Sequence, residues 1–291
     1  MGDALLVDGI GTADMNANSI ALDATSVYWL NADLRLVEKC GKDGTARTTV
    51  ASNLVGPVGI AVSDGYVYFS DTNYSYVDNK YGAVLRVPLQ GGNVQTIVGN
   101  VWGVAGLAVD ATDVYYVNDS DGSVWRVPKA GGAPTALVGP SSNQSGAFML
   151  AVDDDSVYFA TDGFNDADKA IRKVSKSGGV VSTLVPSYWA TDLALDQGNV
   201  YYVEWATGDL MKVSKSGGAP ATVVSGAVAT VAVDATNAYF SYYSYSLGKA
   251  PIAGGSETDL AQETPASIAV DDTYVFFATR GPDAQLRRVG K

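Results

Sequence analysis

The side chains with the greatest capacity for chemistry are carboxylates, because the chain contains no histidine. Without histidine there is no Ser-His-Asp triad, no Cys-His dyad and no histidine-ligated zinc or copper site. Asp192 and Glu204 stand out as a pair that could divide acid and base roles if burial separates their pKa values. They could instead hold a cation that polarises a carbonyl. The structural alternative is two solvated carboxylates at a rim.

Aromatic side chains in predicted loops form a second group. Exposed aromatic clusters favour the recognition of sugars, peptides or other partly apolar ligands. The competing interpretation is that these rings pack the loops together and line a channel. The residues predicted to bind a ligand are Trp102, Phe148, Tyr188, Trp189, Trp205, Tyr242, Tyr243 and Tyr245.

One loop carries carboxylates at alternate positions, as calcium loops do. It reads Asn118-Asp119-Ser120-Asp121-Gly122, and the further ligands of a full calcium loop do not follow. A polar turn is therefore the competing interpretation for Asp119 and Asp121. No cofactor is predicted, with calcium in this loop or in a central channel as the alternative.

These residues belong to a repeat that predicts the scaffold. A phrase of apolar-Ala-apolar-Asp, a polar turn and Val-Tyr-aromatic returns seven times, starting at Ile20, Ile60, Leu107, Leu150, Leu193, Val231 and Ile268. Several short strands per unit at a period near 40 residues indicate a β-propeller. The predicted fold is all-β, with seven four-stranded antiparallel blades in a single domain over residues 1–291. The blades are expected to start near residues 18, 58, 105, 148, 191, 229 and 266.

Each unit supplies four strand-like runs. A buried apolar run is followed by a turn whose Asp can accept backbone N–H groups. The Val-Tyr-aromatic strand comes next, and a third strand carries one basic residue that is predicted to pair with the adjacent strand. A glycine pair then supplies the positive φ angles of a hairpin turn. The last unit lacks a fourth strand, and residues 4–8 resemble one, so we expect the N-terminal strand to close the ring.

The repeat also separates scaffold from candidate site. A residue that recurs in every blade belongs to the scaffold, as do the turn aspartates and the tyrosines of the second strands. Blade five departs from the pattern, with Asp192 where its first strand starts and Glu204 where its second strand ends. An antiparallel hairpin brings these two positions to the same open end. Cys40 occupies a position held by valine in other blades and is predicted to be a packed thiol.

Composition limits the partners. A net charge of -12 disfavours nucleic acid and anionic membranes, because binding to phosphates depends on Lys and Arg. No apolar run approaches the ~18 residues of a membrane span. No signal peptide is visible, so the sequence shows no targeting segment. The expected partner is a protein, peptide, glycan or small molecule, and the chain is expected to be a monomer.

The segment SIALDATSVYWLNAD (19–33), with Asp43-Gly44 downstream, resembles the YWTD propellers of lipoprotein receptors. The units are also similar to the NHL/YVTN type common in secreted bacterial proteins. This resemblance implies an extracytoplasmic location (secreted, periplasmic or cell-surface), although YWTD propellers usually have six blades. Virginiamycin B lyase, a seven-bladed relative, relies on a histidine that this chain lacks. The metal-binding motifs of six-bladed lactonases are not recognisable.

These observations predict a non-catalytic recognition module that binds its ligand on the aromatic loop face. A lyase, lactonase or cyclase that depends on carboxylates or a cation is the alternative, with its site at the channel mouth. A third hypothesis is a rigid spacer in an assembly.

Overall fold

The chain forms seven four-stranded antiparallel sheets in the computed structural model, as the repeat predicts. The structure describes residues 3–11, 19–72, 82–140, 146–162, 168–186, 189–226, 228–242, 246–281 and 283–291, without the side chains of residues 147 and 148. Within these residues, no helix is long and apolar enough to cross a bilayer.

Every blade has the same strand order, from the inside of the ring to the outside. The first strands of blades one to seven are β2 (Ile20–Leu22), β6 (Pro57–Ser63), β10 (Val104–Val109), β14 (Ala147–Val152), β18 (Ala190–Leu195), β22 (Val228–Val233) and β26 (Pro265–Val270). The second strands are β3 (Ser26–Asn31), β7 (Tyr66–Asp71), β11 (Asp113–Asn118), β15 (Ser156–Asp162), β19 (Asn199–Glu204), β23 (Asn237–Tyr242) and β27 (Tyr274–Thr279). The third are β4 (Leu36–Gly41), β8 (Gly82–Pro88), β12 (Val124–Pro128), β16 (Lys169–Ser175), β20 (Leu210–Ser214), β24 (Ser246–Pro251) and β28 (Gln285–Gly290). The fourth are β5 (Thr48–Ala51), β9 (Gln95–Val101), β13 (Thr135–Val138), β17 (Ser182–Pro186), β21 (Ala221–Val224), β25 (Thr258–Ala261) and, for blade seven, β1 (Ala4–Asp8).

The N-terminal strand closes the ring, as predicted. Strand β1 pairs antiparallel with β28, from Ala4 opposite Arg288 to Asp8 opposite Gln285. An irregularity between Leu5 and Val7 shifts the register. Val7 is therefore buried, whereas Leu5 is 50% exposed. This pairing covers the edge of β28, which could otherwise pair with another chain.

The core is divided among the interfaces between blades. One cluster joins Tyr28 and Val37 of blade one to Ile60 and Phe69 of blade two, and the other interfaces repeat this arrangement. The tyrosines at the second-strand repeat position are all buried, as the repeat predicts. Because each sheet packs on its two neighbours through large β-branched and aromatic side chains, the sheets stabilise one another as a closed ring.

The spacing of Asp and Tyr that recurs in each unit also allows a hydrogen bond between the two side chains, which the sequence alone does not reveal. In blade three, Asp110 accepts the backbone N–H groups of Thr112 and Asp113 at 2.8 Å each. Its second oxygen accepts the hydroxyl proton of Tyr115 at 2.8 Å. The same contact joins Asp to Tyr in blades one, four, five and six. The buried tyrosine thus anchors the turn aspartate as well as filling the core.

The basic residue of the third strand connects neighbouring blades. The predicted pairing with the adjacent strand is made by Arg86, whose Nε donates to Gln95 in β9 at 2.8 Å, but the bonds to carbonyls lead to the neighbouring blade. Lys39 donates to the carbonyl of Leu89 at 2.7 Å, and Arg126 donates to the carbonyl of Lys176 at 2.8 Å. Each acceptor lies in the turn after the third strand of the next blade. Arg86, Lys173, Lys212 and Arg288 make the equivalent bond.

A set of ion pairs joins neighbouring blades at the same end of the ring. We call these the turn-end ion pairs: Lys42–Asp271, Lys129–Asp64, Lys176–Asp110, Lys215–Asp153 and Lys291–Asp234. Each lysine also lies over the second-strand aromatic ring of the preceding blade, as Lys215 does over Tyr158 at 5.5 Å. Leu89 and Ile252 occupy the lysine position in blades two and six. The interfaces between blades one and two and between blades five and six therefore lack this lysine.

These ion pairs predict a loss of stability in acid. Partial burial alone would raise the pKa of Asp153, but bonds from Lys215, Ser156, Tyr158 and Asp155 outweigh it and hold the pKa at about 2. Because the folded pKa lies below the unfolded value, this stabilisation is present above pH ~3.8 and is lost as the pH falls towards 2. We expect Lys215→Met to lower the unfolding free energy at pH 7 by about 1 kcal/mol. Urea titrations should show that this difference from the wild type disappears near pH 2, and a difference unchanged in acid would contradict the assignment.

Cys40 is buried and unpaired, as its repeat position predicts. Burial raises the pKa of its thiol to about 11. The thiolate is therefore scarce at neutral pH, and Cys40 has the properties of a packing residue.

Candidate functional site

The two ends of the ring differ in their connections and in their charged residues. The turn end bears the aspartate turns, the glycine hairpins and the turn-end ion pairs. We call the opposite end the loop end, where second strands lead to third strands and each blade leads to the next. Connections on a rigid scaffold are where binding residues concentrate. Of the residues singled out from the sequence, those that the structure describes lie at this end.

Trp189 and Trp205 form a stacked pair at the loop end of blade five. Trp189 directly precedes β18 and Trp205 directly follows β19, so pairing of these two strands brings the rings together. The ring centroids are 4.6 Å apart with an interplanar angle of 27°. The backbone N–H of Trp205 donates to the carbonyl of Trp189 at 3.0 Å. Trp205 is 57% exposed, so the pair presents an aromatic surface to solvent.

Asp192 is wholly buried and connects two blades. It lies in the bulged part of β18, where the register with β19 shifts between Ala190 and Leu193. A bulge of this kind changes the direction of a side chain. One carboxylate oxygen accepts from the backbone N–H of Leu193 at 2.8 Å. The other accepts from the Thr230 hydroxyl at 2.6 Å and the Val231 N–H at 2.8 Å, both in blade six.

Burial raises the pKa of Asp192 to about 6, although its three hydrogen bonds favour the charged form. This bridge crosses the interface between blades five and six, which is one of the two that lack a turn-end lysine. Asp192 is therefore a structural connection between these blades, and it differs from the solvated rim carboxylate that one interpretation of the sequence expected.

Glu204 belongs to a separate network. Its backbone is opposite Ala190, so the hairpin does bring Asp192 and Glu204 to the same end of blade five. The Glu204 carboxylate, however, accepts from the Thr207 hydroxyl at 2.9 Å. Among the hydrogen bonds of the described residues, Asp192 faces blade six and Glu204 closes a turn in blade five. These contacts give the two carboxylates no common proton or cation.

The loop that contains Asp119 and Asp121 is a polar turn that uses its own side chains. Asn118 accepts the N–H of Ser120 at 2.9 Å, and Asp121 accepts the N–H of Ser123 at 2.9 Å. Asp119 packs against Gly103, where a side chain would collide with the carboxylate. The described residues contain no group of three or more Asp, Glu or Cys side chains placed to hold a metal ion. Calcium binding here stays a prediction.

Lys169 is a neighbour of the tryptophan pair that the sequence interpretation missed, and Asp162 lies opposite Lys169 in the pairing of β15 with β16. Burial raises the pKa of Asp162 to about 6, with a further contribution from the charge of Asp119. The Lys169 ammonium lies over the Trp189 ring at 6.0 Å from the centroid. Asp162 lies one residue after Thr161, which is the blade-four equivalent of Glu204 in the repeat. The same next position is Asp119 in blade three, so the repeat itself shows acids at equivalent places in two adjacent blades.

The other aromatic candidates that the structure describes, Tyr242 and Trp102, lie apart from the tryptophan pair. The Tyr242 hydroxyl contacts Glu257 beside the outer strand of blade six, and its ring packs edge-on against Phe240 at 5.2 Å. Trp102 is 45% exposed and precedes blade three. Tyr188, Tyr243, Tyr245 and the side chain of Phe148 lie outside the described residues. The structure therefore brings together only Trp189 and Trp205 of the predicted set, within the part that it describes.

A depression of about 510 Å³ lies at the loop end of blade seven. Its lining is polar and includes Thr264, Thr279, Arg280 and Asp283, without an aromatic ring. The exposed tryptophan pair of blade five and this depression of blade seven are therefore different features of the loop end.

Comparison with known structures supports the fold. A chain of the nidogen/laminin complex matches with a TM-score of 0.59 and 15% identity, covering 81% of this chain and 92% of that one. BamB from Moraxella catarrhalis matches with a TM-score of 0.61 and 13% identity, covering 94% of this chain and 83% of that one. No protein-family model matches the sequence. At these identities the likeness extends to the propeller fold alone.

Proposed function

We propose that this chain is a recognition module that binds its ligand at the loop end through the Trp189–Trp205 pair. The observation that carries the proposal is an exposed, stacked tryptophan pair on a rigid ring. Large aromatic side chains supply much of the energy of binding interfaces. A solvent-exposed pair of this kind gains more by binding than by remaining in water.

The position of the pair supports the same function. Each ring directly adjoins a strand of blade five, and a backbone hydrogen bond joins the two residues. The rings are therefore oriented before a ligand arrives, which reduces the entropy cost of binding. One neighbour in fold comes from a protein complex, that of nidogen and laminin. Protein recognition is thus compatible with this architecture.

The carboxylates favour recognition over catalysis. The catalytic alternative requires Asp192 and Glu204 to act on one substrate, whereas their hydrogen bonds lead to blade six and to Thr207 respectively. The proposal keeps the extracytoplasmic location and the monomeric state as predictions.

The test begins with immobilised peptide and glycan panels probed with the purified chain. For any ligand retained, we expect Trp205→Ala to weaken binding by more than about 1.4 kcal/mol, roughly tenfold, because it removes the exposed ring. Trp125→Phe is the matched control, since Trp125 lies in β12 and stacks on Tyr116 at 6.4 Å. The control should bind as the wild type does. Ligands retained equally by Trp205→Ala would place the binding surface elsewhere, and turnover of a substrate would contradict a non-catalytic role.

A further inference from the structure

We infer that the loop-end surface formed by Trp189, Trp205 and the neighbouring carboxylates binds a basic segment of a protein or peptide through its Arg or Lys side chains. This inference rests on the proposed function and names its ligand. Three observations support it: the distribution of charge, the cation already seated on the pair, and a carboxylate with an unbonded oxygen.

Charge is distributed unevenly between the two ends of the ring. The basic residues at the repeat position of the third strands, and the lysines of the turns that follow, lie at the turn end, where they bond to carbonyls or form the turn-end ion pairs. At the loop end of blades three to five, the described acidic residues are Asp119, Asp121, Asp162, Asp168, Glu204 and Asp209. The described basic residues there are Lys169 and Arg172, and the Arg172 guanidinium donates to the Asp168 carbonyl at 3.5 Å. The loop end of blades three to five, which includes the tryptophan pair, therefore has an excess of negative charge, and a field of this sign steers a basic partner.

The tryptophan pair already contacts a cation. The Lys169 ammonium lies 6.0 Å from the centroid of the Trp189 ring. Indole rings attract cations placed over their faces, and Arg also stacks on them through its planar guanidinium. Trp205 stacks on Trp189 by one face and is 57% exposed. An arriving Arg or Lys side chain can make at Trp205 the contact that Lys169 makes at Trp189.

Asp162 adds an acceptor near this surface. One of its carboxylate oxygens is buried and accepts no hydrogen bond from the described residues. Lys169 lies within electrostatic range of the same carboxyl group. Asp162 as a whole is only partly buried, so its negative charge attracts a guanidinium or ammonium group bound beside the tryptophan pair.

The experiment uses the full chain and three probes. They are an octapeptide of alternating arginine and glycine, its glutamate counterpart, and a neutral β-linked glucose hexasaccharide. Tryptophan fluorescence and calorimetry at 50 and 200 mM salt measure binding. We expect the arginine peptide to bind with an affinity that falls at higher salt, and the other two probes not to bind. Trp205→Ala should weaken the arginine peptide at least tenfold, and Asp162→Asn combined with Glu204→Gln should weaken it severalfold.

Asp272→Asn is the matched control, because it removes one exposed carboxylate from the turn end. Circular dichroism checks that each variant is folded. Equal weakening per carboxylate removed, by Asp272→Asn and by the Asp162→Asn, Glu204→Gln double variant, would indicate attraction by net charge alone and would overturn the inference. No binding of the arginine peptide would overturn the inference, and Trp205-dependent binding of the hexasaccharide or of a panel ligand would then leave the proposed function intact. Failure of both, together with retention of panel ligands by Trp205→Ala, would contradict the proposed function itself.

Discussion

Deletion of residues 1–8 should lower the unfolding free energy by about 5 kcal/mol, because it removes a whole strand from blade seven. The deletion exposes the surface that Val7 covers and frees the edge of β28. It also removes the Asp3–Arg287 ion pair at 2.6 Å and the Asp8 carbonyl that accepts from Arg47 at 2.9 Å. Small domains have only about 5–15 kcal/mol of stability, so the truncated chain should be near its unfolding threshold at room temperature. Urea unfolding followed by circular dichroism measures the change.

Two point variants show whether β1 contributes through the orientation seen here. Val7→Ala should lower the unfolding free energy by about 2 kcal/mol, because Val7 is buried. Leu5→Ala removes a larger side chain but should have little effect, since Leu5 is 50% exposed. Equal costs for both variants would contradict the bulge that separates their orientations. An unchanged unfolding midpoint after the deletion would contradict closure of the ring by this strand.

Asp192→Ala should lower the unfolding free energy by about 2 kcal/mol at pH 7, because it leaves the Thr230 hydroxyl and the Val231 N–H without their buried acceptor. The cost should grow as the pH falls towards 4. Burial raises the folded pKa of Asp192 to about 6 from 3.8 in the unfolded chain. The folded state therefore holds this proton more tightly, and the stability that it contributes is fully present below pH 3.8 and is lost as the pH rises through 6.

Asp192→Asn is the matched variant, because it keeps the shape and one acceptor but cannot ionise. Ionisation of Asp192 should change the unfolding free energy of the wild type by about 3 kcal/mol between pH 4 and 7. The unfolding free energy of Asp192→Asn should lack this contribution. Other titrating residues, including Asp162, are common to both proteins and cancel in the difference. Identical pH profiles for the wild type and Asp192→Asn would show that Asp192 does not titrate in this range.

The sequence by itself determined the architecture. The hydrophobic phrase, the turn aspartate and the glycine pair each act within a few residues, so their repetition reveals blade number, strand order and the missing fourth strand. It also determined that Cys40 and the second-strand tyrosines are core residues, because each occupies a position that is apolar or aromatic in every unit. Local patterns of this kind are legible without knowledge of the packing between blades.

Only the tertiary structure decided how the blades are joined and which candidates meet. The partners of Asp192 in blade six are 38 and 39 residues away, and those of Lys39 in blade two are 50 and 51 residues away. Neither spacing is visible as a local pattern. The sequence suggested that Asp192 and Glu204 form a carboxylate pair. The bulge in β18 directs the Asp192 side chain to blade six instead, because one shifted residue redirects a side chain. The stacking of Trp189 on Trp205 likewise depends on strand pairing across a hairpin. These long-range contacts, which no periodicity encodes, are the reason why the exposed tryptophan pair is a better candidate site than the carboxylates.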